Sequence, residues 1–203
     1  ETGIENYKLS LVNIEKNLVD GELFGTKTGT FTGAEDKNGV ILNNKEKILF
    51  LDEIGEIIPD VQAKLLLYLD DFKVRALGDD KKTILAPTFL IAATNKDLKN
   101  SIKTNEFRAD LYHRFKYRIK IPPIRERKSD MRFLISFILQ NPNINNYSEG
   151  KYLIEKISIE AIEKLEKYQY PGNFREMEFI IKNAVTNAAL DNKEIILPEH
   201  IEF

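Results

Sequence analysis

Two short apolar runs, each ending in a polar pair, constrain the fold of this chain more than any other feature. Ile48-Leu49-Phe50-Leu51 leads straight into Asp52-Glu53, and Phe89-Leu90-Ile91-Ala92-Ala93 into Thr94-Asn95. A brief uninterrupted apolar run is the pattern of a strand buried on both faces, as in parallel sheets whose crossover helices cover them. Between the runs, Val61, Leu65, Leu66 and Leu69 recur at helical spacing, with Asp60 placed as an N-cap. Tyr7 to Val12 is a further strand candidate. Lys73–Leu77 and Lys81–Leu85, joined by Gly78-Asp79-Asp80, suggest a β-hairpin. Strands alternating with helices predict an α/β sheet with helices on both sides.

Pro122-Pro123 ends that regime, because consecutive prolines remove two backbone donors and stop a helix. Beyond it the spacing turns helical. Met131 to Leu139 forms one helix, followed by a polar loop from Asn141 to Lys151. Ser158 caps a second helix with Ile159, Ile162 and Leu165 on one side. A third follows Pro171-Gly172, with Asn173 as cap, Glu176 completing a capping box, and Met177, Ile180, Ile181, Ala184 and Ala188 as its apolar face. The chain therefore divides into an α/β part, residues 1–121, and a small all-helical lid, residues 122–203.

Ligands of open α/β sheets bind at the carboxyl ends of strands, where Asp52-Glu53 and Thr94-Asn95 would both emerge. Phosphoryl transfer needs a carboxylate to hold Mg²⁺, often through water, and a group to orient the attacking water. Asp52 suits the first role and Glu53 the second, and the Asn95 amide could hydrogen-bond a γ-phosphate or that water. Taken singly, each pair also fits an exposed strand-terminating turn. Arg108 and Arg114, six residues apart, carry the planar, permanently charged group that suits phosphate. They also fit surface salt bridging, to Asp110 for instance. Arg175 falls in the first turn of the third lid helix, where a cation opposes the helix dipole and a bound phosphate would compensate.

One more segment stands out. Gly29-Thr30-Phe31-Thr32-Gly33-Ala34 follows Glu22-Leu23-Phe24-Gly25, and its two glycines permit backbone angles that other residues avoid. Such a loop can present Phe31 at its tip to a partner, or fold that ring into the core.

Composition narrows the field. The chain has 203 residues and a formal net charge of −2, so there is no whole-chain electrostatic case for nucleic acid binding. It has no cysteine, hence neither a disulfide framework nor a thiolate metal site. His113 and His200 stand far apart without a ligand pattern and are expected to be structural or exposed. No apolar stretch approaches a membrane span, and a cytoplasmic location with no membrane contact is the expectation.

Taken together, these blocks resemble the central AAA+ domain of the bacterial activators of sigma-54 RNA polymerase. Glu22–Gly25 and Gly29–Ala34 resemble the ELFG and GAFTGA strings of that family, Ile48–Glu56 its Walker B segment, and Ala93–Leu98 its sensor I segment. Phe107–Phe115 and Ile121–Arg127 resemble the arginine-finger region and the PPLRER stretch, and Tyr170–Met177 resembles WPGNVREL, the sensor II segment. The resemblance implies a three-layer AAA+ ATPase core with a parallel sheet and a helical lid. It also implies a homo-oligomeric ring, usually a hexamer, ATP and Mg²⁺ as cofactors, and hydrolysis used to remodel the closed sigma-54 promoter complex. By that likeness Asp52 binds Mg²⁺, Glu53 polarises water, Asn95 is the sensor I residue, and Arg108 and Arg114 are fingers acting across subunits. Arg175 is the sensor II residue, and Asn13 resembles the Asn that switches the catalytic glutamate. Gly29, Thr30, Phe31, Thr32, Gly33 and Ala34 form the sigma-54 contact. DNA would be reached only through a domain outside these residues.

The likeness is incomplete. No G-x-x-x-x-G-K-[ST] or G-x-x-G-x-G-K segment occurs, so no P-loop cradle or lysine for the β- and γ-phosphates is encoded in these residues. Three accounts are open: a P-loop region missing from these residues, an artificial N-terminus, or natural loss. The first is expected, because Asp52, Glu53, Asn95 and both arginines would otherwise have little reason to persist together. Under the last, the chain is a degenerate, non-hydrolysing interaction module; a different AAA+ remodeller is disfavoured by the Gly29–Ala34 run. Thr30 stands where the family string has Ala, Tyr170 where it has Trp and Phe174 where it has Val, and none of these changes removes a charge or a hydrogen-bonding role.

Overall fold

The computed structural model describes residues 5–31 and 33–203. It divides into two compact units, one ending at Arg118 and one running from Ile119 to Phe203.

In the first unit the order is β1 (Asn6–Ser10), α1 (Val19–Phe24), β2 (Gly25–Thr26), β3 (Lys37–Asn38), α2 (Val40–Asn43) and β4 (Ile48–Asp52). Then come α3 (Pro59–Asp71), β5 (Lys73–Val74), β6 (Ile84–Leu85), β7 (Phe89–Ala93), α4 (Leu98–Lys103) and α5 (Ala109–Arg114). β4 is the middle strand of a parallel trio ordered β1-β4-β7 among the described residues, in a register that aligns Ser10, Asp52 and Ala93. The expected strand from Tyr7 to Val12 is shorter. It gives way to a single 3-10 turn over Leu11–Asn13, which buries Leu11.

Leu49 and Leu51 are fully buried against α1, α2, α3 and α5 through Leu23, Ile41, Val61, Leu65, Tyr68 and Leu111. On the other face of the sheet Phe89 is 68% and Ile91 39% exposed. The apolar runs were expected to be buried on both faces; among the described residues one face is covered. Strand alternation sends neighbouring side chains to opposite faces, and an all-apolar run cannot say which face has a partner.

α3 starts two residues earlier than expected. Ile58 is its N-cap and Pro59 its first residue, so Asp60 lies inside the first turn. Proline is well placed there, since its missing N–H would be unpaired anyway. The expected hairpin narrows to its base, where Lys73 pairs with Leu85 and Val74 with Ile84. Beyond it, Leu77 turns away and bridges to Thr26.

Gly25 and Gly39 make the tightest crossing in this unit. A Cβ on Gly39 would lie 2.3 Å from the Leu23 carbonyl oxygen and 2.5 Å from the Gly25 nitrogen. Only a chain without side chains there can leave α1, run out to Ala34 and return to α2 through so narrow a gap.

The second unit holds α6 (Met131–Leu139), β8 (Tyr147–Ser148), β9 (Lys151–Tyr152), β10 (Lys156–Ile157), α7 (Ile159–Lys167), α8 (Asn173–Leu190) and β11 (Ile195–Ile196). Its core joins Met131, Ile135 and Ile138 of α6, Ala161 and Leu165 of α7, and the expected α8 face, with Val185 added. Ile159 is exposed, because Ala161 and Leu165 set the buried side of α7 and Ile159 points the other way. This unit is helical but not all-helical: β8 pairs with β9 and β10 with β11. The polar loop conceals the first pair. Inside it Asn145 is fully buried, its amide donating to the Leu139 and Ile154 carbonyls and its oxygen accepting from the Ile154 N–H.

His200 is buried. Its Nδ1 accepts from the Leu197 N–H at 3.0 Å and its Nε2 lies 3.2 Å from Asp191, while His113 is exposed. Among the described residues no helix is long and apolar enough to cross a membrane, and no cluster of three or more His or carboxylate side chains could hold a metal ion.

Candidate functional site

The parallel register decides which polar groups meet. Because Ser10, Asp52 and Ala93 are aligned, Asn13, Asp52, Glu53, Thr94 and Asn95 all leave the sheet at the same, carboxyl, end. Asp52 is mostly covered, its side chain 28% exposed, and the Lys8 ammonium from β1 sits 2.8 Å from its Oδ2. Glu53 adopts left-handed backbone angles, φ 62 and ψ 49, a conformation that costs a non-glycine residue of order 1 kcal/mol or more. That turn brings its Oε2 within 3.1 Å of the Asn95 N–H, which donates to it. Asn95 thus contributes its main chain to Glu53. Asn13 is exposed in its 3-10 turn.

Three residues that sequence reasoning gave no role clasp the two strand-end turns. Lys96 donates to the Gly55 carbonyl at 3.1 Å and pairs with Glu56 at 3.0 Å, both side chains being about a third exposed. Gly55 must be small, because a Cβ there would stand 2.8 Å from the Thr94 hydroxyl. The position of Lys96 just after a strand-end Asn was the available signal.

The arginines lie elsewhere in the first unit. Arg108 precedes α5, and its N–H donates to the fully buried Gln62. Its guanidinium grips Asp110 in two hydrogen bonds, of 3.0 and 2.7 Å. The pairing holds the arginine further into its charged form and pulls the Asp110 carboxyl below its ordinary range. Arg114 donates to the Leu69 carbonyl and pairs with Asp70 at 2.8 Å. Among the described residues neither arginine contacts Asp52, Glu53 or Asn95.

In the second unit Arg175 is exposed in the first turn of α8. The expected cap next to it is corrected. Asn173 is itself the first helical residue, with φ 53, and its side chain turns away to accept from the Ile124 N–H. Glu176 alone reaches back, taking the Gly172 N–H at 2.7 Å and the Tyr168 hydroxyl at 2.9 Å. Asn tolerates the left-handed region better than most residues, so it serves the turn rather than the cap. Tyr170 is buried with its hydroxyl on the Leu165 carbonyl, and burial pushes its pKa up.

The glycine loop is built to stand out. Gly29 and Gly33 have φ of 88 and 83 with open space around them, and Phe31 between them is 48% exposed. Ala34 is buried at the loop's exit. Thr32 lies outside the described residues. The loop's mouth is stapled by Asp36, which accepts from the Lys27 ammonium, the Thr28 N–H and the Thr28 hydroxyl. Those donors draw its carboxyl down to about 2. Thr30 turns inward, its hydroxyl 2.6 Å from the Lys27 carbonyl and 2.9 Å from that of Leu77.

A parallel sheet with carboxylate and amide groups at its carboxyl end, followed by a helical unit, defines an AAA+ ATPase fold. NtrX from Brucella abortus, solved in complex with ADP, shares that fold. It is 22% identical with a TM-score of 0.78, over 98% of this chain and 44% of that one. Hsp104, solved with ATPγS and casein, has a TM-score of 0.64 at 17% identity, over 96% of this chain and 40% of that one. The sigma-54 interaction domain family model matches residues 5–121, and the AAA+ ATPase lid domain model matches residues 125–203. The chain belongs to the sigma-54 interaction domain family. Relatives include the anaerobic nitric oxide reductase transcription regulator NorR of Aliivibrio fischeri, 37% identical over 95% of this chain and 38% of that protein. The Nif-specific regulatory protein of Rhodobacter capsulatus is 37% identical over 96% of this chain and 32% of its own length. The chain spans about a third of the length of these relatives.

Proposed function

We propose that this chain is the ATP-hydrolysing module of a bacterial transcription regulator and engages sigma-54 RNA polymerase through Gly29–Ala34. The observation that carries the proposal is the contact between Glu53 and the Asn95 N–H at the strand ends. It orients a carboxylate where a phosphate-bearing ligand of an α/β sheet sits, and so prepares it to polarise an attacking water. Asp52 is the carboxylate suited to Mg²⁺, a cation that usually keeps waters and takes few protein oxygens. When bound, the ion neutralises phosphate charge. Lys8, 63% exposed, must then swing off Asp52. The Asn95 side-chain amide is left to face the γ-phosphate or the water, and Asn13 acts on the orientation of Glu53.

Arg108 and Arg114 serve a neighbouring subunit in a homo-oligomeric ring, expected to be a hexamer. Their exposed carboxylate partners are cheap to leave, since exposed ion pairs contribute about 0–1 kcal/mol. Arg175 meets the nucleotide from the lid. The matched ranges support a core over 1–121 and a lid over 122–203. A cradle for the β- and γ-phosphates has to come from residues other than these. DNA contact belongs to a domain outside the chain, and the location is cytoplasmic.

Hydrolysis of ATP with Mg²⁺, measured against protein concentration, tests this proposal in protein that includes a P-loop. A steep rise is expected if the arginines act across subunits. Glu53→Gln should keep nucleotide binding and lose turnover by at least about 100-fold, the usual scale of a positioned base. Unchanged turnover would remove Glu53 from the chemistry. The missing P-loop sequence favours a second reading, a non-hydrolysing interaction module; a natural protein without hydrolysis at any concentration, yet binding sigma-54, would decide for it.

A further inference from the structure

Thr30 differs from its neighbours in the loop. Gly29 and Gly33 are surrounded by open space and Phe31 is half-exposed, whereas Thr30 is drawn in against a second segment of the chain. Its hydroxyl lies 2.9 Å from the Leu77 carbonyl, 47 residues away in sequence, and 2.6 Å from the Lys27 carbonyl. Two backbone bonds run beside it, from the Lys27 N–H to Leu77 O and from the Leu77 N–H to Gly25 O, each 2.9 Å. The fit is steric as well as polar. A Cβ on Gly78 would stand 2.2 Å from the Thr30 hydroxyl oxygen and 3.2 Å from its Cβ, so the glycine leaves room for this side chain.

We propose that Thr30 is a positioning residue, a latch that ties the Gly29–Ala34 loop to the Leu77-Gly78 turn and so fixes the direction in which Phe31 projects. Its relevance to sigma-54 rests on the proposed role of that loop. The mechanism is local. With the hydroxyl seated, the backbone on the N-terminal side of Phe31 is pinned. Gly29 is included, because it lies inside the turn that Thr30 closes onto the Lys27 carbonyl, whereas Gly33 lies beyond the latch. The ring is then presented from a fixed root. Without the hydroxyl, the two glycines leave the loop many backbone states to sample before it meets a partner, and binding has to bear that ordering cost. Thr30 would thus act through Phe31 rather than by touching the partner itself.

Amide hydrogen exchange of residues 27–34 tests the latch without any partner present. Thr30→Ala should speed exchange of the Thr30 and Ala34 amides about 5-fold, the equivalent of one net hydrogen bond. Thr30→Ser, which keeps the hydroxyl, should stay within about 2-fold of the native chain on the same reasoning. Gly78→Ala should loosen the loop at least as much as Thr30→Ala. In the Thr30→Ala background its effect should shrink, because the atom it strikes is gone. Unchanged exchange in Thr30→Ala, or a Thr30→Ser variant as loose as Thr30→Ala, overturns the latch.

Binding to sigma-54 RNA polymerase is then measured for the same variants and for Phe31→Ala. Weakening in Thr30→Ala that Thr30→Ser restores supports the positioning role. Unchanged binding in Phe31→Ala would defeat the loop's proposed contact while leaving the exchange result to judge the latch. Lost binding in Phe31→Ala with none in Thr30→Ala would show that the latch does not serve recognition.

Discussion

Replacing Gln62 with Leu should cost the first unit about 3 kcal/mol, the sum of three net hydrogen bonds at about 1 kcal/mol each. Gln62 is a polar residue with no exposure at all, on the inward side of α3. Its amide nitrogen donates to the Ile57 carbonyl at 2.8 Å and the Glu106 carbonyl at 2.9 Å, and its oxygen accepts from the Arg108 N–H at 2.8 Å. One side chain therefore satisfies three main-chain groups and pins the entry to α5. Leu nearly conserves the volume, so little of the loss is a cavity. What remains is one N–H and two carbonyls without their partner, the Ile57 carbonyl buried and the Glu106 and Arg108 groups part-buried. Urea unfolding followed by circular dichroism reads the effect. With a typical slope of about 2 kcal/mol per molar, the midpoint should fall by about 1.5 M with the slope unchanged. Gln62→Glu should be worse at neutral pH, because it loses the donor and sets a charge against two carbonyl oxygens. A midpoint within about 0.5 M of the native value for Gln62→Leu, about 1 kcal/mol on the same slope, would refute the reasoning.

Gly39→Ala should destabilise by about 3 kcal/mol or more, at the upper end for overpacking, because the new carbon meets only backbone atoms that cannot rotate away. Gly29→Ala, with open space around it but φ 88, should cost only about 1 kcal/mol, and equal thermal shifts for the two would contradict the packing. The Asp36 staple should respond to acid with a definite sign. Its carboxyl is held at about 2 in the fold, first by Lys27 and then by Thr28, against an ordinary 3.8. The stapling contribution is then complete above about pH 4 and is lost as pH falls through about 2, the lowered-carboxylate case of linkage. Carbon NMR of the Asp36 carboxyl should titrate near that lower value, and the stability gap to Asp36→Asn should narrow only in acid. A gap that widened as pH fell would have the wrong sign.

Much of the α8 and α6 packing follows from spacing alone. Met177, Ile180, Ile181, Ala184 and Ala188 form a face wherever the helix is placed, because 3.6 residues per turn puts them on one side. Strand alternation likewise puts Leu49 and Leu51 on one face, but it does not say which face is covered. In the equally apolar second run Leu90 and Ala92 pack against the core while Phe89 and Ile91 stay exposed. Asn173 shows where local rules mislead. The spacing to Glu176 is that of a capping box, but a left-handed turn after Tyr170 shifts Asn173 into the helix, and Ile124 takes its side chain. Gln62 was legible in part, since it shares a helical stripe with Leu65 and Leu69, but its type marks it as a surface residue.

The candidate site divides along the same line. Asp52, Glu53 and Asn95 could be picked out because each closes an apolar run, a property of the chain read in one dimension. That the Asn95 N–H meets the Glu53 carboxylate depends on the β1-β4-β7 register, and that Lys8 lies on Asp52 depends on β1 being next to β4. Thr30 looked like a neutral replacement for Ala, and its contact with Leu77 made it a hydrogen-bonding residue. Side-chain chemistry and periodicity are local, so the sequence by itself determined the strands, the helices and the inventory of polar groups. Contacts between residues some 40 to 50 positions apart depend on how the elements pack and on which backbone groups packing leaves unpaired, and only the tertiary structure decided those.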